Sequence, residues 1–260
     1  MFPELLRIPW LNIDLPSYGV LLSVALISAF ALAAYLAERD GLDGSIIYKL
    51  GILVLPAALL GTKLLALNQG SDVSGLNFWV GAYFGGLLLS LGVSVIALWF
   101  LGAPWKKIAD AAAPGLALGN VIGRLGCFAG GCCWGKPTTS WLGVMFTEKA
   151  HQMNGTPIDE HLLPVQLFQA GISLLSLIFL LRLRKRRAFD GQVILCFLML
   201  YSVERFFIDY LRDDPRGEVF GLSTSQFISV ILLPASVILM LCWSRKHDLP
   251  PAPLGSLRGM

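Results

Sequence analysis

Charged side chains are scarce in this chain of 260 residues: Asp, Glu, Lys and Arg together make up 14%, against about 25% in soluble domains. A solvated surface of ordinary composition is excluded at that level. No internal repeat or linker divides the chain, so 1–247 reads as one domain. The net charge is only +3, and most of it sits beside apolar runs, so nothing calls for a nucleic-acid partner. The first sixteen residues contain Glu4, Arg7 and Asp14 and lack a basic-then-apolar layout, so no cleavable signal peptide is expected.

What fills the chain instead is apolar: 55% hydrophobic residues and a mean hydropathy of +0.68. Uncharged or nearly uncharged stretches run over 17–37, 50–68 (broken by Lys63), 78–101, 111–123, 162–181, 191–203 and 221–243. A spanning helix needs about 20 apolar residues. Five stretches qualify alone; the fourth must run through Arg124 to Phe128, and the sixth must carry Glu204 and Arg205. The expectation is an all-α integral membrane protein of seven transmembrane helices.

Basic residues near span ends favour the cytoplasmic side. Arg39 and Lys49, Lys106 and Lys107, the run at 182–187, and Arg245 with Lys246 mark every odd loop and the tail, whereas 68–77 has no Lys or Arg and 132–161 holds only Lys136 and Lys149. This alternation predicts an outer N-terminus and a cytoplasmic C-terminus. The segment at about 132–161 is too polar to span and reads as a small head on the outer side, with Trp134 and Trp141 as interfacial anchors. The Pro-rich tail 248–260 reads as disordered.

Two motifs carry chemistry. The first is Gly-Arg-Leu-Gly-Cys-Phe-Ala-Gly-Gly-Cys-Cys-Trp-Gly at 123–135, where an apolar run meets a polar loop. An arginine there is costly unless it meets an anion, and lipid phosphate is the nearest one. The second is Tyr201, Arg205, Asp209 and Arg212, which fall along one helical stripe. Such a stripe is either an internal ion-pair ladder or part of a ligand site; Arg124 and Arg205 together would clamp a phosphodiester bidentately. On this phasing Asp209 orients Arg205 or accepts a proton, and Glu204, about 100° around the helix, lies off the stripe.

These residues resemble a family, the bacterial prolipoprotein diacylglyceryl transferases. The resemblance rests on Tyr18-Gly19, Gly85-Gly86, the Gly-Arg-x-Gly-x-Phe run with Gly135, Pro164, Gln166-Leu167, the stripe at Tyr201, Arg205 and Arg212, and Ser223, Gln226 and Ser229, all in the family's order over about residues 15–245. It implies transfer of the diacylglyceryl group of phosphatidylglycerol, or a similar phospholipid, to the lipobox thiol of a prolipoprotein signal peptide. It also implies a multi-pass protein of the bacterial inner membrane, with no metal and no soluble cofactor. Under it Arg124, Arg205, Asp209 and Tyr201 are the catalytic candidates, and Tyr18, Lys63, Gly85, Gly86, Arg124, Arg212 and Gln226 bind substrate.

The chain departs from that pattern where the family has two Asn and a Glu: here stand Cys127, Gly130 and Cys132. The family's histidine in the third span is Phe84, a carboxylate in the fifth is Gln169, and a glutamate in the sixth is Asp209. The thiols Cys127, Cys132 and Cys133 therefore read as packing or a disulfide, as nucleophiles activated beside Arg124, or as metal ligands. Cys132 is the favoured nucleophile and Cys127 its companion. A Cys-x4-Cys-Cys spacing is unusual for zinc, and His151 and His161 are distant in sequence. Two readings stand beside the family reaction: a lipid-group transferase using cysteine chemistry on another acceptor, and a non-catalytic lipid-binding homologue.

Overall fold

The computed structural model describes residues 4–8, 13–68, 78–214 and 217–247. The loop without basic residues and the Pro-rich tail both lie outside them. In chain order the elements are β1 (Glu4–Ile8), β2 (Ile13–Pro16), α1 (Ser17–Arg39), α2 (Ser45–Asn68), α3 (Phe78–Phe100), α4 (Trp105–Gly130), α5 (Glu148–Asn154), α6 (Val165–Arg184), α7 (Gln192–Asp209), β3 (Glu218–Val219), β4 (Leu222–Ser223) and α8 (Thr224–His247). The two antiparallel hairpins, β1 with β2 and β3 with β4, are small departures from a wholly helical expectation.

Four helical segments among the described residues are long and apolar enough to cross a membrane: Ser17–Arg39, Ser45–Leu64, Val165–Arg184 and Thr224–Arg245. The chain is a helical membrane protein. Of the other long helices, α4 runs 26 residues and α7 runs 18. These two contain Arg124, Glu204, Arg205 and Asp209, and their charge is what separates them from an ordinary apolar span.

Small residues let the helices approach closely, the usual means of packing where lipid is as apolar as the partner helix. A Cβ at Gly115 of α4 would meet the Ala29 carbonyl oxygen of α1 at 2.5 Å. One at Gly61 of α2 would strike the Gly85 carbonyl of α3, and one at Gly86 would meet the Ala58 carbonyl oxygen at 2.8 Å. Helix α2 packs chiefly on α3, while α4 takes α1, α6 and α7 against itself and α8 lies on α7.

The bundle end that joins α1 to α2 and α6 to α7 is tied by charge. Asp40 pairs with Arg184 at 2.8 Å and Arg187 at 2.7 Å. The buried Asp110 of α4 accepts from the backbone nitrogens of Gly191 and Ile194 at 2.8 and 2.9 Å, satisfying the start of α7. Asp43 does the same for α2 through Ser45 N at 2.9 Å, and its hydrogen bonds with Ser45 hold its carboxyl below the ordinary value.

At the opposite end, Gly131 terminates α4 in the left-handed conformation, φ 76°. The chain then forms a head from about 131 to 164. Strand-like bonds join Val144 to Leu162 and Thr138 to His161, and α5 is capped by Thr147. Trp134, Phe146, Ala150 and Leu162 form its small core. Trp134 is thus a core residue rather than the interfacial anchor its position suggested, whereas Trp141 is 90% exposed.

Candidate functional site

Between α4, α6 and α7 the apolar bundle gives way to buried polar side chains. On α6 they recur at Gln166, Gln169, Ser173 and Ser176, spaced three, four and three residues apart, which is one face of a helix. Helix α4 answers with Asn120 and Arg124, one turn apart. Asn120 donates to Ser173 Oγ at 2.8 Å, and Ser173 Oγ donates to Glu204 of α7, 3.3 Å from each carboxylate oxygen. Glu204 is buried, 6% exposed. Arg124 is partly buried and lies within electrostatic reach of Cys127, Cys133, Tyr201 and Glu204.

Glu204 is therefore at the heart of the arrangement, against the phasing that set it aside. The expected stripe made α7 single-faced. In the structure Tyr201 and Glu204 turn toward α4 and α6, lining a small cleft with Asn120 and Ser173, while Arg205 and Asp209 turn toward α8. Serines on α6 at helical spacing were the signal that pointed to a polar partner on this face.

Asp209 has a different place from Glu204. Its side chain is 1% exposed, lies 3.9 Å from Arg205 Nη1, and accepts a short hydrogen bond from Ser223 Oγ. Arg205 Nη2 donates to Ser225 Oγ at 3.0 Å. Ser223 and Gln226 in turn form a reciprocal cap at the start of α8: Gln226 N donates to Ser223 Oγ and Ser223 N to Gln226 Oε1, each at 3.1 Å. Gln226 also donates to the Phe206 carbonyl of α7 at 3.3 Å. Asp209 and Ser225 thus contact Arg205 directly, while Gln226 caps α8 and ties it to α7.

Two guanidinium nitrogens here are buried with no hydrogen-bond partner among the described residues, Arg212 Nη1 and Arg205 Nη1, the latter ion-paired at 3.9 Å with Asp209. A buried charged donor left unsatisfied is costly, and an anion would remove that cost. Arg212 gives its other donors to Asp214 as a fork, Nε to Oδ1 and Nη2 to Oδ2, both at 2.9 Å. Arg124, Tyr201, Arg205 and Arg212 thus share one region, with Arg124 in electrostatic reach of both other arginines.

The signature loop closes this region from above. Gly135 N donates to the Leu163 carbonyl, Lys136 N to Leu211, and Asp213 N to Trp134, at 2.9 to 3.3 Å. A Cβ at Gly135 would strike Val165, so only glycine fits between the head and α6. Gln166 Nε2 donates to the Cys132 carbonyl at 2.7 Å, and Gln166 Oε1 and Gln169 Nε2 have no hydrogen-bond partner among the described residues. Tyr18, half exposed on α1, stands beside the thiols and Arg124.

All five cysteines are free thiols. Cys127, Cys132 and Cys133 lie with their Sγ atoms within 4.8 Å of one another. Hydrogen bonds with Cys127 and Cys132, and then the charges of Arg212 and Arg124, hold the Cys133 thiol well below its ordinary value; the contact with Cys127 pushes Cys132 up. Lys63, Gly85 and Gly86 stand apart: Lys63 is exposed on α2, and the two glycines face α2 at the α2–α3 crossing.

Residues 3–242 match the family model for prolipoprotein diacylglyceryl transferase. The chain is 32% identical to phosphatidylglycerol-prolipoprotein diacylglyceryl transferase 2 of Clostridium perfringens, over 86% of this chain and 89% of the relative. It is 31% identical to the phosphatidylglycerol-prolipoprotein diacylglyceryl transferase of Clostridium tetani, over 83% and 88%. Against the protein of the same name from Dehalococcoides mccartyi strain 195 the identity is 28%, over 88% and 90%.

Proposed function

This chain belongs to the prolipoprotein diacylglyceryl transferase family, and from that premise we propose that it moves the diacylglyceryl group of phosphatidylglycerol onto the lipobox cysteine of secreted preproteins. The observation that carries the reading onto these residues is the pair of buried guanidinium nitrogens of Arg205 and Arg212 that have no hydrogen-bond partner among the described residues, beside Arg124.

A phosphodiester seated there is held by Arg124 and Arg205, with Tyr201 and Tyr18 donating to its oxygens. Asp209, fixed by Ser223, keeps the Arg205 fork aimed. The lipobox thiol gives its proton to Glu204, and its sulfur attacks the glyceryl carbon that bears the phosphate. A C–S bond forms, the C–O bond to phosphate breaks, and glycerol phosphate leaves with the electron pair. The arginines stabilise the charge growing on that leaving group, so they count for more in the transition state than in the ground state. A cavity of about 530 Å³ between α6 and α7, lined by Ile172, Met199, Val203, Phe207 and Leu211 and ending on Glu204, suits acyl chains arriving from the bilayer.

The thiols Cys127, Cys132 and Cys133 stay outside the transfer. A lipid placed on one of them would become a thioether, and a thiolate is a poor leaving group from unactivated carbon.

For the membrane frame the reading is seven spans, α1 to α4 and α6 to α8, in the bacterial inner membrane. The head at 131–164 lies on the outer side with the N-terminus, and the C-terminus is cytoplasmic. The basic residues flanking the α1–α2, α3–α4 and α6–α7 connections support it.

The test is purified protein in detergent with phosphatidylglycerol labelled in its acyl chains and a lipobox peptide. Label on the peptide with one glycerol phosphate released per transfer is expected. Label on a different product, or lipid binding with no turnover, overturns the assignment.

A further inference from the structure

Three thiols without a role in the transfer converge where α4 ends. Cys127 occupies the last turn of the helix. Gly131 stops it, the Cys132 nitrogen donates back to the Cys127 carbonyl at 3.1 Å, and Cys133 follows in the left-handed region, φ 63°. A residue with a Cβ adopts that conformation at a cost. Here it turns the vicinal side chains back toward Cys127, and the three Sγ atoms fall within 4.8 Å of one another. In a three-coordinate thiolate site with bonds of about 2.3 Å the sulfurs stand about 4 Å apart, so a sub-ångström adjustment completes the triangle.

We propose that Cys127, Cys132 and Cys133 form a three-thiolate site for a soft monovalent metal ion, Cu(I). The ligand set favours it over zinc. Thiolates select soft ions, and structural zinc takes four ligands. Among the described residues the cluster contains three sulfurs and no imidazole or carboxylate.

Charge points the same way. Three thiolates and one Cu(I) carry a net charge of −2, and the cation Arg124 lies in electrostatic reach of Cys133 together with the Arg212–Asp214 pair. Each thiol that binds releases its proton to solvent. The loop is held for the purpose by Gln166, which fixes the Cys132 carbonyl at 2.7 Å.

The experiment uses the full-length protein in detergent, reduced and kept anaerobic, with Cu(I) supplied as its bathocuproine disulfonate complex. One copper per chain should pass from chelator to protein, and X-ray absorption should show a first shell of three sulfurs. C127S, C132S and C133S should each weaken retention about 100-fold or more, since losing even an outer-shell partner costs about 10–100-fold, while C196S/C242S retains the full equivalent. No stoichiometric transfer, a shell of two sulfurs, or retention by the triple serine variant overturns the proposal. So does preferential uptake of Zn(II) when both ions are offered. The wild-type absorption spectrum decides the matter even where a serine variant fails to fold, and no arm depends on transferase activity.

Discussion

The α2–α3 pair and the α4–α6–α7 group solve the same problem in opposite ways. In the first, two apolar helices are joined by the absence of side chains: Gly61 against Gly85 and Gly86 against Ala58 let backbone touch backbone. In the second, helices are joined through what their side chains carry, the chain of contacts from Asn120 through Ser173 to Glu204 and the pairing of Arg205 with Asp209. Lipid explains the first, since dispersion and close fit are the forces left when hydrophobic burial is not. It makes the second costly without a ligand. The polar group is therefore the one whose variants should lose chemistry, and the glycine crossing the one whose variants should lose stability.

The largest effect is expected at Arg124. Arg124→Lys keeps the charge but not the planar fork, and transfer to a lipobox peptide should fall about 100-fold or more while the thermal transition in detergent stays put. Next comes the contrast within α7. Glu204→Gln should cost about 100-fold in turnover, the range for loss of a general base. Asp209→Asn, which only loosens Arg205, should cost about tenfold and be felt in KM for the phospholipid as much as in kcat. Equal losses, or the reverse order, would show that the proton goes to the face toward α8.

In the glycine crossing the readout changes. Gly61→Leu drives a side chain into the Gly85 carbonyl and should destabilise by about 1–3 kcal/mol, lowering the thermal midpoint, with activity per folded molecule retained. The smallest effect belongs to the charged end remote from the site. Asp40→Asn breaks partly exposed pairs with Arg184 and Arg187 and should cost about 1–2 kcal/mol, below the figure for a fully buried pair. A large loss of turnover in Asp40→Asn would break the division between holding and reacting ends.

Hydropathy makes the helices legible because span length is fixed by the bilayer. The arginines are legible because a charge in an apolar run has few reasons to be there. What sequence hid was direction. Tyr201, Arg205 and Asp209 fit a single stripe, yet α7 has polar partners on two sides, and Glu204 belongs to the side defined by Asn120 and Ser173, residues 84 and 31 positions earlier in the chain. Gln226, read as a substrate-binding residue, caps the start of α8 in the structure, a role that Ser-x-x-Gln spells with the same letters. Trp134 looked interfacial because loop tryptophans in membrane proteins usually are; the head has a core of its own that claimed it.

The reciprocal cap at Ser223 and Gln226 also bears on the order in which the molecule is made. Arg124, Glu204 and Arg205 leave the ribosome before Ser223, which ends β4, and Ser225, in the first turn of α8, the serines that contact Asp209 and Arg205. Until α8 is inserted, Arg205 and Asp209 lack the serines that fix them. The contacts that hold Arg205 and Asp209 therefore form only once α8 has joined α7.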